Sequence, residues 1–147
     1  MNDAATLMTL LHRGKHPSSI RRLLAGWDML QADVPSREQI ETAASILVGS
    51  GLAEVDSSWG MRLTAEGGRL TKSVNGWQGM RLIPGMIKDL LAGRQLSRAP
   101  LTLPQALFDA ALEDYYEAGR RRAERERGRR SRRRWWWPNP SRQSQEK

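Results

Sequence analysis

Residues 36–70 read SREQIETAASILVGSGLAEVDSSWGMRLTAEGGRL, and this stretch decides the fold. Ser36-Arg37-Glu38-Gln39 has the spacing of a capping box: the Ser36 hydroxyl can accept from the Gln39 amide while the Gln39 side chain reaches back. A helix follows, with Ile40, Ala43, Ala44 and Leu47 inward. Gly49-Ser50-Gly51 ends it, with a glycine free to take positive φ. Leu52-Ala53-Glu54-Val55-Asp56 then alternates apolar and polar, Ser57 to Gly60 supply a turn, and Met61-Arg62-Leu63-Thr64 alternates again. Together they predict a β-hairpin. Thr64 is placed to cap a short fourth helix through about Val74. Gly67 and Gly68 would each weaken that helix by about 1 kcal/mol relative to alanine. Either they pack closely against something or the helix is poor.

Upstream, a first helix is expected over Asp3–Arg13, with Leu7, Met8, Leu10 and Leu11 as its apolar side, Asn2 or Asp3 as its cap and Gly14 as its stop. Pro17, Ser18 and Ser19 open a second, whose stripe is Ile20, Leu23, Leu24, Trp27 and Leu30. Asp33-Val34-Pro35 ends it, because the residue before proline is pushed out of the helical region. Downstream, Asn75-Gly76 makes a turn, Pro84–Ala92 forms a helix with Met86, Ile87, Leu90 and Leu91 on one side, and Gly93 closes it. Residues 94–101 read as a linker. Thr102-Leu103-Pro104-Gln105 is a second capping box, opening a long helix with Leu107, Ala110, Ala111, Tyr115 and Ala118 inward and Phe108 and Leu112 widening the stripe. The apolar spacing stops at Ala118, so residues beyond it are expected as a disordered basic tail or as a solvated helical rod. Pro138 and Pro140 exclude helix from the last ten residues. The expected fold is mainly α with one small β-hairpin: a winged-helix-like domain over 1–75, a helical extension over 76–119 and an Arg/Trp-rich basic tail over 120–147.

Composition removes whole classes of chemistry. The 147 residues include no cysteine, which excludes disulfides, thiolate metal sites and cysteine catalysis. No apolar run approaches the length of a membrane span, and the N-terminus lacks the pattern of a secretory signal, so the expected location is cytoplasmic, with no integral membrane association. The net charge of +8 is unevenly placed: residues 1–119 carry net −1 and residues 120–147 net +9. Any argument from charge belongs to the tail.

The rhythm carried by Leu47, Gly51, Leu52, Val55, Leu63, Thr64 and Gly67 resembles the winged helix-turn-helix domains of bacterial transcription regulators. That resemblance implies a third helix entering the DNA major groove and a hairpin, the wing, touching the backbone. On this basis Arg37, Gln39, Glu41, Thr42 and Ser45 are expected on the outward side of the third helix, with Arg37, Gln39 and Thr42 as DNA contacts. Arg62 on the wing, and Arg69 and Lys72 just beyond it, are expected phosphate contacts. Glu38, Glu41, Glu54 and Asp56 oppose them. Charge alone balances DNA binding against protein docking by the winged domain; the resemblance favours DNA.

Residues 120–134 hold ten arginines and two glutamates, followed by Trp135-Trp136-Trp137. Arginine forks bind phosphate and indoles stack on bases or lie in a lipid interface. Arg120, Arg121, Arg122, Arg129, Arg130, Arg132, Arg133 and Arg134 are therefore expected in a nucleic-acid arm, the alternatives being a weak peripheral membrane contact or a solvated tail without a partner. Phe108, Leu112 and Tyr115 could fold onto the body or join a homodimer through the 102–119 helix. His12 and His16 are separated by Gly14 and lack a third ligand, so no metal is expected. Lys72-Ser73 lacks the glycine a phosphate loop needs. Glu113, Asp114 and Glu117 read as a solvated face. Trp27 is assigned to the core and Trp59 to a tucked position at the hairpin tip. The expected function is a non-enzymatic, cofactor-free, transcription-regulator-like DNA-binding protein. The alternative is an adaptor that docks a protein through the winged domain while its tail contacts nucleic acid or an anionic membrane.

Overall fold

The computed structural model describes residues 2–12, 16–74 and 79–136, apart from the side chains of Met80 and of residues 132–136. The elements are α1 (Asn2–Leu11), α2 (Ile20–Gln31), α3 (Arg37–Gly49), β1 (Ala53–Val55), β2 (Met61–Leu63), α4 (Ala65–Lys72), a 3-10 turn (Met80–Leu82), α5 (Ile83–Ala92) and α6 (Gln105–Trp136). Met1–Leu112 form one compact unit and a second begins at Glu113. The fold is mainly α with one small hairpin, as the periodicities predict. Asn75-Gly76, Arg13 and Gly14 lie outside the described residues.

Local signals place the third helix and the hairpin. Both halves of the Ser36 capping box form: Gln39 N donates to Ser36 Oγ at 3.2 Å, and Ser36 N donates to Gln39 Oε1 at 2.8 Å. β1 and β2 pair antiparallel with Ala53 opposite Leu63, Glu54 opposite Arg62 and Val55 opposite Met61. A third extended piece joins them, since Ser18 and Met61 exchange backbone hydrogen bonds of 2.7 and 2.9 Å. At the hairpin tip Trp59 takes a left-handed φ of 62°, unusual for a bulky residue. Two facts hold it there. Asp56 Oδ1 accepts from Ser58 N and Gly60 N at 2.9 and 2.8 Å, and the Trp59 side chain is buried. Trp27 is buried as well.

Thr64 caps α4, its hydroxyl accepting from Gly67 N at 3.1 Å. α4 stops at Lys72, two residues short of the expected end. The paired glycines separate. A Cβ on Gly67 would lie 2.1 Å from the Leu52 carbonyl oxygen, so α4 crosses the start of β1 at a distance only glycine permits. Gly68 has open space.

α1 departs most from expectation. It is buried nearly all round, including Ala4, Ala5, Thr6 and Thr9 as well as Leu7, Met8 and Leu11. It packs against α2, α3, α4, α5 and β2 and so occupies the centre of the first unit. Its small residues let neighbours approach on several sides. The threonine hydroxyls are satisfied by the helix itself: Thr6 Oγ1 donates to Asn2 O at 3.0 Å and Thr9 Oγ1 to Ala5 O at 2.7 Å.

The start of α6 also differs. Helix begins at Gln105, the Pro104 carbonyl accepts from Phe108 N at 3.1 Å, and the Gln105 side chain donates to Asp109 rather than turning back to Thr102. Among its described side chains Phe108 is buried; Leu107, Ala111, Leu112, Tyr115 and Ala118 are half-buried and Ala110 is exposed. The helix continues through the arginine-rich stretch to Trp136.

Candidate nucleic-acid interface

The segment predicted as a linker is a strap. Residues 97–103 run back along α3, opposite to it in direction. Leu103 N donates to Glu41 Oε2 at 2.8 Å, and Arg37 Nη1 donates to both Glu41 Oε2 at 2.6 Å and the Leu103 carbonyl at 3.1 Å. In mid-helix Ala99 N donates to the Ser45 carbonyl at 2.9 Å. At the far end Ser97 N donates to Ser50 Oγ, which donates in turn to Ser97 O. Backbone meets backbone at Gly49, where a Cβ would stand 2.5 Å from Ala99 N and from Ser97 O. Gly49 is therefore needed for close approach, while Gly51 supplies the positive φ of 74°.

The strap covers part of the expected reading head. Arg37 and Glu41 are three-quarters covered and bonded to each other and to the strap. Ser45 is buried. Gln39 is exposed, but its carbonyl oxygen is held by the cap. Thr42 is half-buried. What α3 leaves open is Glu38, Gln39, Thr42 and Ile46, a face without a cation. The sequence held a signal for this: Arg37 and Glu41 stand at the i,i+4 spacing of a helical ion pair.

The Leu103 amide has the largest influence on Glu41 and holds its carboxyl below the ordinary 4.5; burial opposes it, and the Arg37 hydrogen bond and charge add to it. A carboxylate whose pKa falls on folding adds stability above its unfolded value, and that stability is lost as pH drops through the folded value. Glu41→Ala should thus cost about 1–2 kcal/mol at neutral pH. The gap between variant and parent urea midpoints should close as the solution is acidified below the ordinary carboxylate range. A gap that persists undiminished in acid would show that the charge of Glu41 does not hold the strap.

The wing is also internally committed. Arg62 Nε meets Glu54 Oε2 at 3.0 Å across the hairpin, with both side chains more than half exposed. Such a pair is worth little and can be exchanged for another partner. Arg94 pairs with Glu66. Arg69 and Lys72 are exposed in the last turn of α4. Lys72 borders an open cleft of about 440 Å³ floored by Leu11, Leu63 and Val74. The threonines of this cleft already spend their hydroxyls on backbone, Thr64 on Gly51 O and Thr71 on Gly68 O. His12, Thr64, Thr71 and Lys72 are the polar members of its lining.

The arginines of α6 are presented differently. Arg120, Arg121, Arg122, Arg125, Arg127, Arg129 and Arg130 are all exposed. Arg121 Nη2 pairs with Glu117 Oε1 at 2.7 Å, one turn earlier. Arg132, Arg133 and Arg134 continue the same helix. Trp135 and Trp136 are its last residues, and Trp137 lies outside the described residues. Among the described residues no group of His, Asp and Glu could hold a metal ion, and no helix is long and apolar enough to cross a membrane.

Compared with protein-family models, with curated proteins and with solved structures, the chain matches none.

Proposed function

We propose that this chain is a non-enzymatic DNA-binding protein that grips the phosphate backbone through the arginine helix of α6, carried on a winged-helix-like body. One observation carries this: seven exposed arginines on consecutive turns of one helix, from Arg120 to Arg130, with Glu124 and Glu126 as the acids interspersed among them. Arginine forks are matched to phosphate, and release of condensed counterions supplies the affinity. The hairpin after α3, its bridge to Ser18 and the capped α4 support the winged-helix likeness. A regulator's target reading by α3 is less well supported, since the strap and the cap occupy Arg37 and Gln39. The cation-free face of α3 favours protein docking as a second role for the body.

Binding of the full chain to a labelled DNA duplex across a salt series tests the proposal. Affinity should fall steeply, with a slope of about −0.9 per phosphate neutralised. Alanine at Arg125, Arg129 and Arg130 together should flatten that slope, while alanine at Arg62, Arg69 and Lys72 should change it little. The opposite ranking would move the interface to the wing, and no binding at low salt would dismiss the function.

A further inference from the structure

We infer that the nucleic acid recognised is B-form duplex DNA and that the arginine helix lies within its major groove rather than against one strand. The inference rests on the DNA-binding reading above and adds the class of ligand and the way it is held.

The placement of charge around the helix carries it. Successive helical residues turn by about 100°, so Arg120, Arg121, Arg122, Arg125, Arg127, Arg129 and Arg130 surround the axis with no gap wider than about 100°. A helix that docks on one strand or on a flat charged surface needs cations on one side only. Cations on every side suit a trough with phosphates on both walls. The dimensions agree. A helix with its side chains is about 10–12 Å across, and the B-DNA major groove is about 12 Å wide. The A-form major groove of duplex RNA is deep and narrow, which disfavours it. From Arg120 to Arg130 the helix advances about 15 Å. A duplex carries about nine phosphates over that length, one per 1.7 Å. Seven arginines less Glu124 and Glu126 leave a net positive stretch that neutralises a large share of them.

Residue type sets the specificity. From Arg120 to Arg134 there is no Asn, Gln or Lys, so the amide pairing that reads adenine is missing from this stretch. Arginine reads guanine edges when it reads bases at all. The helix should therefore bind duplexes with little sequence preference, and any preference should lean to G·C pairs.

The test keeps charge constant and changes helicity. Gly128 is an interior position of α6 with open space around it. Gly128→Pro breaks the helix within the arginine stretch and Gly128→Ala strengthens it, and neither alters a charge. Full-length parent and both variants are titrated, by fluorescence anisotropy at low salt, with duplex DNA, single-stranded DNA and duplex RNA of equal length. Circular dichroism confirms the helical change. The parent should bind duplex DNA about tenfold tighter than either other ligand, a difference of about 1.4 kcal/mol. G128P should lose that margin, G128A should keep or widen it, and a major-groove ligand, not a minor-groove one, should displace the protein. If all three nucleic acids bind equally and G128P is unaffected, the stretch acts as a flexible polycation, and the groove inference falls while DNA binding stands. If duplex RNA or single-stranded DNA binds tightest, the ligand class is wrong. If none binds, the function proposed above falls with it.

Discussion

Gly67→Ala is expected to destabilise the body by about 1–3 kcal/mol or more, while Gly68→Ala, one residue along the same helix, should raise its stability. The Gly67 methyl would be placed 2.1 Å from the Leu52 carbonyl oxygen and 3.1 Å from its carbon. Neither partner can yield. Leu52 is fully buried, its amide donates to Leu47 O at 2.8 Å, and its carbonyl accepts from Thr64 N at 3.0 Å. Those bonds join the end of α3, the start of β1 and the cap of α4. Relief requires moving α4 off the hairpin, and forced overpacking of this kind costs about 1–3 kcal/mol, more where the clash is with backbone. At Gly68 an added Cβ meets nothing, so the helix gains about 1 kcal/mol. Urea midpoints of the two variants, measured beside the parent, should move in opposite directions. Equal shifts of the same sign would mean that α4 is not packed on Leu52.

Removal of residues 120–147 should abolish the steep salt dependence of DNA binding and leave the body as stable as before. The compact unit ends at Leu112, and the removed residues carry net +9 whereas the remainder carries net −1. A protein neutralising six to ten phosphates loses on the order of 10³–10⁵ in affinity between 50 and 200 mM salt. The fragment 1–119 should lack this response and bind weakly throughout. Its unfolding free energy should remain within about 0.5 kcal/mol of the parent, since the described side chains removed, Arg120 to Ser131, are all exposed. Equal affinities and salt slopes for fragment and full chain would make the arginine helix a bystander.

Much of the fold is legible because its determinants are local. The Ser36 capping box, the Thr64 cap and the alternation on either side of the turn each depend on residues within a few positions of one another. The Gly67-Gly68 pair announced a choice between close packing and a poor helix, and each residue turned out to answer it differently. α1 was less legible. Ala4, Ala5, Thr6 and Thr9 do not register as an apolar stripe, yet small size is what a helix at the centre of a bundle needs. The strap left no periodic trace, because it is bound through backbone groups to residues about fifty or sixty positions away. That omission hid the partners that cover Arg37 and Glu41 on α3. Arg37 and Gln39 have the side chains of base readers, and both are engaged by their own helix and its cover. The arginine helix was visible in charge from the start; past the last apolar position it is made mostly of the strong helix formers Arg, Ala and Glu, with the i,i+4 pair of Glu117 and Arg121 adding a small increment.

The strap fixes how this chain can vary in length. Connections without helix or strand usually absorb insertions, since nothing ties their interior residues to a given position. Here Ser97, Ala99 and Leu103 are each matched to a particular turn of α3, at Ser50, Ser45 and Glu41. One residue inserted between Ala99 and Leu103 would have to bulge outward, or else slide an anchor away from its partner. The tip of the hairpin is held by Asp56, so it offers no slack either. A connector this closely indexed to the helix it crosses behaves as a structural element with a required number of residues, and relatives of this chain should conserve its length more strictly than its composition.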